Sequence, residues 1–425
     1  MARHGTRAGR PQPPGKLACN VSIPSTAAPA DTGNLRVLAV TLAIQALVSM
    51  AVLVVPAMGP AVAQALGVSP TLIGAYIGIV YLGAMFASLL SAPLVLRFGA
   101  LRTSQGALVA CALGLALPAA WPTLAGAIVG AVFIGLGYGP VTPASSHLLA
   151  KSTPAHRASF VFSVKQTGVP LGGVLAGAVV PWLASSAGAR PALWTVALAC
   201  LACAALAQPF RAALDADRDP LQPLRMGSLA AGLRLVASHR ALVRLAAMSF
   251  VFSIVQLSLS SYLVTFLTTT LGYSLVAAGV ALSFAQGGGV VGRIAWGYVS
   301  DRWFGPDRTL AVLALAMALC SGGTALLQAD VPQSLTLALL VAFGGSAIGW
   351  NGVYLAEVAR RAPAGMAGAA TGGTLAVTFF GVVLGPVLFG ALSAAMGSYR
   401  AGFLALVVPT LACGWVLLRQ ALRRP

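Results

Sequence analysis

The sequence predicts an all-α membrane protein of twelve transmembrane helices, in two pseudo-symmetric six-helix bundles, with both termini in the cytoplasm. Three observations lead to this prediction: an apolar composition, a regular series of long apolar segments, and a one-sided distribution of basic residues. Of the 425 residues, 58% are hydrophobic and only 8% are charged, whereas a soluble domain carries about 25% charged residues. So few charges could not cover the surface of a soluble protein of this length.

Apolar segments long enough to cross a bilayer, which takes about 20 residues, alternate with Pro-, Gly- or charge-rich breaks. The predicted spans are 35–59, 70–92, 103–120, 123–148, 159–183, 191–209, 241–268, 274–299, 309–328, 333–357, 367–394 and 399–418. They divide the chain into a disordered cytoplasmic tail (1–34), an N-terminal six-helix bundle (35–209), a cytoplasmic linker (210–240), a C-terminal six-helix bundle (241–420) and a cytoplasmic tail (421–425). The first segment lacks the apolar core of a signal peptide, so we expect it to remain as a tail.

Basic residues orient the spans, because cytoplasmic loops carry an excess of Lys and Arg. The chain holds 26 of these residues. Only Arg190 and Arg400 lie on one side and only Lys165 and Arg293 lie deep within spans, while the rest lie in or beside the tails, the even-to-odd loops and the linker. This asymmetry predicts a multi-pass protein of the bacterial inner membrane. Basic clusters between apolar segments are not typical of a nucleic-acid-binding face, so we expect no nucleic-acid partner.

The two halves of the chain contain matching short segments at a nearly constant separation. The matches are Arg97-Phe98-Gly99 with Arg302-Trp303-Phe304-Gly305, Pro154-Ala155 with Pro363-Ala364, and Arg190 with Arg400. Parallel repeats of this kind are typical of transporters, which bind their solute at the interface between the repeats. Spans 3, 6, 9 and 12 are almost purely apolar, so we expect them at the periphery and the other eight spans around a polar path.

The loop after span 8 carries a motif, and the loop after span 2 carries a degenerate copy of it. The second-half copy contains Gly297, Asp301, Arg302 and Gly305, and the first-half copy contains Leu96, Arg97 and Gly99. With the six-plus-six layout, these loops make the chain from about residue 35 to 420 resemble the major facilitator superfamily. In that family the motif aspartate belongs to a cytoplasmic latch. The resemblance therefore implies gating roles for Arg97, Asp301 and Arg302, although Leu96 replaces the aspartate in the first half.

Two spans contain glycine and proline in patterns that suggest bending points. The segment from Lys165 to Gly173 is similar to a glycine–proline motif linked to exchangers within the family. Small residues allow close helix contact and proline frees a backbone carbonyl. The predicted hinge residues are Gly168, Pro170, Gly172, Gly173, Gly385 and Pro386. The alternative is that they serve only helix packing.

Lys165 and Arg293 are the main candidates for substrate binding. A charge inside a span costs about 2.5–3.5 kcal/mol on insertion scales, and the two residues lie in opposite halves of the chain. Arg binds carboxylates through two hydrogen bonds, so the pair could hold one anion. The alternatives are that Lys165 extends to the membrane surface and that Arg293 pairs with Asp301 or Glu357.

Other polar residues within spans could hydrogen-bond a small solute. They are Gln45, Tyr76, Tyr138, Gln166, Gln256, Gln286, Trp350 and Asn351. The alternative for each is a hydrogen bond between helices. None of the 8 acidic residues lies at mid-span; Glu357, at the end of span 10, is predicted to form a gate salt bridge with Arg361. A cavity with cations and no carboxylate should prefer anions, and protons could accompany the substrate or bind His147.

These features predict a secondary active or facilitated transporter that moves a small organic anion by alternating access. They resemble bacterial carriers of monocarboxylates and cyanate-type ions. The alternatives are an efflux exchanger for drugs or metabolites and, more distantly, a membrane-embedded enzyme or a sensor on a carrier scaffold. The scattered His and Cys residues indicate no catalytic residues, metal or cofactor, so we expect no enzyme. The expected partners are an anionic small molecule, the lipid bilayer and, as a candidate coupling ion, the proton; a monomer is expected.

Overall fold

The structure is a computed structural model that describes residues 1–2, 30–153, 158–224, 229–363 and 366–422. All regular secondary structure in these ranges is helical. Eleven described helical segments are long and apolar enough to cross a membrane. The prediction of an all-α membrane protein is therefore confirmed.

The described α-helices follow one another with short connections. They are α1 (Ala30–Ala57), α2 (Gly59–Leu66), α3 (Ile73–Leu89), α4 (Ser91–Phe98), α5 (Ala100–Ala120), α6 (Leu124–Ser152), α7 (Ala158–Gln166), α8 (Gly168–Ala187), α9 (Ala189–Ala207), α10 (Arg211–Leu214), α11 (Leu229–Ser238), α12 (Arg240–Leu271), α13 (Leu275–Val299), α14 (Gly305–Leu326), α15 (Gln333–Ala347), α16 (Asn351–Arg361), α17 (Ala367–Ala395) and α18 (Tyr399–Leu422).

Two predicted spans are interrupted well inside their bounds, and span 2 is interrupted near its end, at Leu90. Span 5 consists of α7 and α8, which are separated at Thr167, and span 10 consists of α15 and α16, which are separated at 348–350. Mean hydropathy does not reveal these breaks, because Val164–Ala187 and Gln333–Arg361 are each apolar enough on average to cross a membrane as one segment. A break inside a membrane span is tolerated where its backbone is bound by protein or lines a cavity.

Several helix boundaries also differ from the prediction. α1 begins within the predicted tail 1–34, α18 reaches into the predicted tail 421–425, and α11 lies inside the predicted linker 210–240. Polarity ends a membrane span, whereas a helix continues as long as its residues favour helix. Residues 3–29 of the predicted disordered tail lie outside the described residues, as does the Pro154-Ala155 match.

The longest apolar helical stretch runs from Leu275 to Leu326 and contains 52 residues. It comprises α13 and α14, joined by a π-helical turn at Ser300–Phe304. Gly305 follows this turn with φ of +70°, a conformation that glycine adopts without strain. A continuous helix of this length would extend about 78 Å, far more than the roughly 30 Å of the hydrocarbon core.

Glycines allow the helices to approach one another closely. A Cβ atom at Gly344 of α15 would overlap the backbone of Ala285 in α13, and Gly177 of α8 meets Gly279 of α13 in the same way. The contact between α8 and α13 joins the first and second halves of the chain. Small residues at such contacts are typical of membrane helices, whose association depends on tight packing.

Tyr262, near the end of α12, closes one end of the bundle. Its hydroxyl donates to the carbonyl oxygen of Thr71 at 2.6 Å and accepts from the backbone N–H of Gly74 at 2.8 Å. Its ring stacks on Phe389 of α17 with a centroid distance of 4.7 Å. We call the end that contains Tyr262, Thr71 and Gly74 the closed end, and the opposite end, where α12 begins, the open end.

The segment that follows α10 binds the first half of the chain at the open end. The carboxylate of Asp215 accepts hydrogen bonds from the backbone N–H groups of Leu101 and Arg102, at 2.7 and 3.0 Å, and so caps the start of α5. Asp217 pairs with Lys151 of α6 at 2.7 Å. The hydrogen bond from Lys151 lowers the pKa of Asp217 from its usual 3.8 to about 2.

His147 contributes to the same contact. Its Nε2 lies 2.7 Å from the Asp217 carboxylate oxygen that Lys151 also contacts. His147 therefore lies at a surface contact with the linker, at the end of α6, and not in the interior of the bundle.

Candidate functional site

A cavity of about 390 Å³ lies between the two halves, toward the open end. Its described lining residues come from α3, α6, α7, α8, α12, α13, α16, α17 and the break before α16, and none comes from predicted spans 3, 6, 9 or 12. The polar lining residues are Tyr81, Ser88, Tyr138, Thr142, Gln166, Ser253, Gln256, Arg293, Trp350, Asn351 and Thr378. Asp and Glu are absent from the described lining, so the guanidinium of Arg293 has no carboxylate beside it there.

Arg293 connects the two helix breaks. Its Nε donates to the carbonyl oxygen of Ile348 at 3.2 Å, and its Nη1 donates to that of Gln166 at 2.6 Å. Gln166 ends α7 and Ile348 follows α15, so one cation binds the backbone at both interruptions. These partners are neutral carbonyls rather than Asp301 or Glu357. Because a guanidinium carries five N–H donors, three remain for a ligand in the cavity.

Three of the predicted site residues form one cluster at the cavity wall. Trp350 Nε1 and Asn351 Nδ2 both donate to Oε1 of Gln256, at 3.0 and 3.3 Å. Trp350 is buried, with 1% of its surface exposed. The break before α16 thus places an indole and an amide against a residue of α12.

Gln45 and Gln286 are engaged by neighbouring side chains. Gln45 accepts a hydrogen bond from Thr142 at 3.1 Å and donates to Ser49 at 3.4 Å. Gln286 donates through Nε2 to Ser260 at 3.0 Å. Gln286, Ser49 and Ser260 line a small chamber that adjoins the cavity. These two glutamines therefore serve first as links between helices.

The predicted tyrosines lie in different places. Tyr138 lines the cavity and packs edge-on against Tyr81, with a centroid distance of 5.4 Å. Tyr76 instead lines a separate, almost wholly apolar groove of about 260 Å³ near the closed end. Its hydroxyl has no hydrogen-bond partner within the described part of the chain. Tyr76 is therefore not brought together with the other predicted binding residues.

Lys165 is fully buried near the end of α7. Its Nζ has no hydrogen-bond partner among the described residues, and the side chain does not reach the surface in this structure. Lys165 is not part of the cavity lining, although the next residue, Gln166, is. Lys165 thus directly precedes Gln166, the residue at the helix break that Arg293 binds.

The acidic and basic residues at the open end of α16 form an ion-pair cluster. Glu357 pairs with Arg361 and with Arg360, the latter at 2.6 Å. Arg361 also donates to both carboxylate oxygens of Asp307, at 2.7 and 2.8 Å. The predicted Glu357–Arg361 pair is present, and Asp307 from the first turn of α14 completes the cluster.

The other predicted gating residues do not join this cluster. Asp301 and Arg302 are exposed in the π-helical turn before α14. Arg97 is half-buried at the end of α4, with its guanidinium over the ring of Phe98 at 5.6 Å.

The predicted hinge residues lie at close helix contacts. Those of α8 are Gly168, Pro170, Gly172 and Gly173. A Cβ atom at Gly172 would overlap α1, and one at Gly173 would meet Gln286 of α13. The break itself lies at Thr167, directly before these residues. In the second half of the chain, α17 continues without interruption through Pro386, and Gly385 packs on Ile254 of α12.

Sequence reasoning missed some residues that line the cavity. Tyr81, Met85, Ser88 and Leu89 all do so from α3. Their spacing of four, seven and eight residues places them on one face of a helix, which is the signal that could have identified them. Asp307 and Asp215 had no such signal, because each acts on a segment distant in the sequence.

The polar lining of the cavity consists of hydrogen-bonding groups. In the described ranges no group of three or more His, Cys, Asp or Glu residues is placed to hold a metal. The polar groups that face the cavity are a guanidinium, amides and hydroxyls, which bind the acceptor atoms of a solute.

Comparison with known proteins agrees with this architecture. A family model described as the Major Facilitator Superfamily matches residues 38–378. A probable nitrate/nitrite transporter of Mycobacterium tuberculosis is 34% identical over 176 residues, which span 40% of this chain and 44% of that protein. The alignment thus covers less than half of the relative's length.

Solved transporter structures share the fold at low sequence identity. A bacterial homologue of the human lysosomal transporter Spinster, inward-facing and occupied, has a TM-score of 0.70 at 14% identity, covering 92% of this chain and 97% of that one. A D-xylose–proton symporter has a TM-score of 0.69 at 17% identity, covering 91% and 97%. A peptide transporter in complex with sulfate has a TM-score of 0.73 at 15% identity, covering 92% and 94%. The chain therefore belongs to the Major Facilitator Superfamily of membrane transporters.

Proposed function

We propose that this protein is an alternating-access carrier of a small anion. The observation that carries the proposal is Arg293, a buried cation bonded to neutral carbonyls, in a cavity whose described lining contains no carboxylate. A charge in such surroundings is costly, and a bound anion would offset that cost. The free N–H groups of an Arg can bind two acceptor atoms of an oxyanion at once.

Lys165 is the second cation of the proposed site. Its Nζ is buried and lacks a partner among the described residues, and Lys165 directly precedes Gln166, whose carbonyl Arg293 binds. Lys165 comes from the first half of the chain and Arg293 from the second. An anion held by both would therefore link the halves, and its release would allow them to separate.

The substrate that we propose first is a small organic anion, such as a monocarboxylate or a cyanate-type ion. The apolar part of the cavity lining, which includes Met85, Leu257 and Phe379, supports an anion with a short carbon chain. The similarity to a probable nitrate/nitrite transporter favours a second candidate, a small inorganic oxyanion. Both classes present negative charge spread over several acceptor atoms.

We propose twelve crossings for the chain. The 52-residue stretch is too long for one crossing, and counting α13 and α14 separately gives an even number of spans. The two halves, 35–209 and 241–420, would then form six-helix bundles joined by the linker 210–240. With the basic residues inside, both termini lie in the cytoplasm of a bacterial cell, and the protein functions as a monomer in the inner membrane.

The proposed transport cycle depends on opening the closed end. The contacts of Tyr262 with Thr71 and Gly74 would break while the open end closes around α16. The proposed gate is the Glu357–Arg361 cluster, assisted by Arg97, Asp301 and Arg302. The proposed hinges are the glycines beside Thr167 and the Gly385-Pro386 pair, and protons are the candidate coupling ion.

Uptake into liposomes tests this function. Purified protein should transport at least one member of a panel containing acetate, pyruvate, cyanate, nitrate and nitrite. Lys165→Gln and Arg293→Gln should each abolish that transport, whereas Lys151→Gln, which removes an exposed lysine, should retain it. Unchanged uptake by the first two variants, or export of neutral drugs with no anion transport, would contradict the proposal.

A further inference from the structure

Gln256 faces the cavity, and its hydrogen-bond partners determine which atom of its carboxamide is the oxygen. The atom of its carboxamide that lies 3.0 Å from Trp350 Nε1 and 3.3 Å from Asn351 Nδ2 accepts both hydrogen bonds. The indole N–H can only donate. That atom must therefore be the oxygen, although side-chain amides are otherwise easily assigned the wrong way round.

The amino group of Gln256 is consequently directed away from Trp350 and Asn351. A carboxamide oxygen has two lone pairs, and these two donors occupy both. The amino group makes no hydrogen bond with the described residues, and Gln256 lines both the main cavity and the chamber beside it. Its two N–H donors are thus available to a ligand.

The donors that orient Gln256 are themselves held in place. The ring of Trp350 packs edge-on against Phe252 with a centroid distance of 5.5 Å, and at a tilt against Tyr354 at 5.1 Å. If the amide rotated by 180°, its amino group would face the buried indole N–H, and a buried donor would lose its partner. An unsatisfied buried donor is strongly unfavourable, so Trp350 and Asn351 hold the Gln256 amide with its amino group directed away from them.

We propose that Gln256 is a specificity-determining residue that donates hydrogen bonds to the substrate, and that Trp350 and Asn351 are its positioning residues. This inference rests on the proposed anion transport. Arg293 and Gln256 then present only donors to the cavity, from α13 and α12. The site selects a substrate that carries hydrogen-bond acceptors at both points and disfavours analogues whose group facing Gln256 has no lone pair to accept with, such as an ammonium or an amide N–H.

Gln256→Glu is the decisive variant, because it changes only the atom that faces the cavity. The glutamate can still accept both hydrogen bonds from Trp350 and Asn351, so the fold should be retained with an unchanged melting temperature. Its second oxygen replaces the amino group and repels an anion. We expect the Kd for the transported anion, measured on purified protein by calorimetry, to rise about 100-fold.

Trp350→Phe tests the positioning role. It keeps the aromatic packing and removes one donor, which permits the amide to rotate, so we expect KM to rise about fivefold to tenfold with little change in the maximal rate. Trp296→Phe is the matched control, since it removes an indole hydrogen bond of the same length, 3.0 Å, to the backbone of Gly345. Trp296 does not line the cavity, so its KM should stay at the wild-type value.

The outcomes separate the two proposals. If the wild-type protein binds an anion but Gln256→Glu binds it equally well, or if Trp350→Phe has the KM of Trp296→Phe, the role of Gln256 is refuted and the proposed function stands. If the wild-type protein binds no member of the anion panel, the proposed function and this inference are refuted together.

Discussion

Replacing Asp215 by Ala should release the linker from the first half of the protein. In the second half, α14 carries an acidic residue, Asp307, in its own first turn, whereas the first turn of α5 contains none. Asp215 supplies the missing negative charge from the linker, where only 4% of its surface is exposed. An acidic group at this position binds free N–H groups and interacts favourably with the helix dipole.

The magnitude follows from the two hydrogen bonds that the carboxylate accepts, from Leu101 at 2.7 Å and from Arg102 at 3.0 Å. Loss of a capping side chain costs about 0.5–2 kcal/mol, and hydrogen bonds to charged groups contribute about 1.5–3 kcal/mol. We therefore expect Asp215→Ala to weaken linker docking by about 2 kcal/mol, which raises the undocked population about 30-fold.

Limited trypsin digestion measures this population, because cleavage of a transiently opened segment follows its equilibrium when reclosing is fast. Cleavage after Arg211 and Arg218 should accelerate about 30-fold in Asp215→Ala. Asp219→Ala is the matched control, because among the described residues the Asp219 carboxylate bonds within the linker, to the N–H of Leu221 at 3.0 Å. Equal cleavage rates in the two variants would refute the reasoning.

Three further predictions follow from the same structure. Lys151 lowers the pKa of Asp217 to about 2, so the contribution of Asp217 to linker docking is complete above about pH 4 and is lost as the pH falls through about 2. Hydrogen exchange of 211–224, corrected for the intrinsic rate, should show protection falling over that range. A protection profile that does not change with pH would contradict this. Gly344→Ala should lower the melting temperature and the yield of purified protein, because a Cβ there overlaps α13. Gly287→Ala should leave both unchanged, because a Cβ there meets open space. Equal losses in both variants would argue against the packing explanation. Tyr262→Phe removes both hydrogen bonds of the Tyr262 hydroxyl at the closed end, each of which stabilises the closed state by about 1 kcal/mol. A thiol probe should therefore label a cysteine placed near position 262 more than tenfold faster than in the protein that retains Tyr262. Unchanged labelling would show that these bonds do not hold the end closed.

The fold class was predictable because the membrane imposes it. A chain with this many apolar segments can satisfy its backbone only in helices, and hydropathy locates those helices to within a few residues. The absence of spans 3, 6, 9 and 12 from the described cavity lining was also readable, since polar side chains avoid lipid and these spans contain few of them. The interruption at Thr167 lies in a segment where the sequence predicted a bending point, and Pro170 lacks the N–H that would bind the carbonyl of Gln166. The interruption at 348–350 was not predicted.

The site could be predicted by residue type but not by arrangement. The sequence indicated Arg293, Gln256, Trp350 and Asn351 as polar groups within spans, and they do line one cavity. It also indicated Tyr76, yet that residue faces a separate groove. The direction in which a side chain points depends on how each helix is rotated in the bundle, and the local sequence does not contain that rotation.

The sequence by itself therefore determined the helical membrane fold and the two buried cations, Lys165 and Arg293, because composition and charge act locally. Only the tertiary structure decided which hydrogen-bond donors meet which acceptors. The carbonyls of Gln166 and Ile348 converge on one guanidinium, and Asp215 reaches across the chain to cap α5. These contacts join residues far apart in the sequence, and their geometry depends on the packing of the whole bundle.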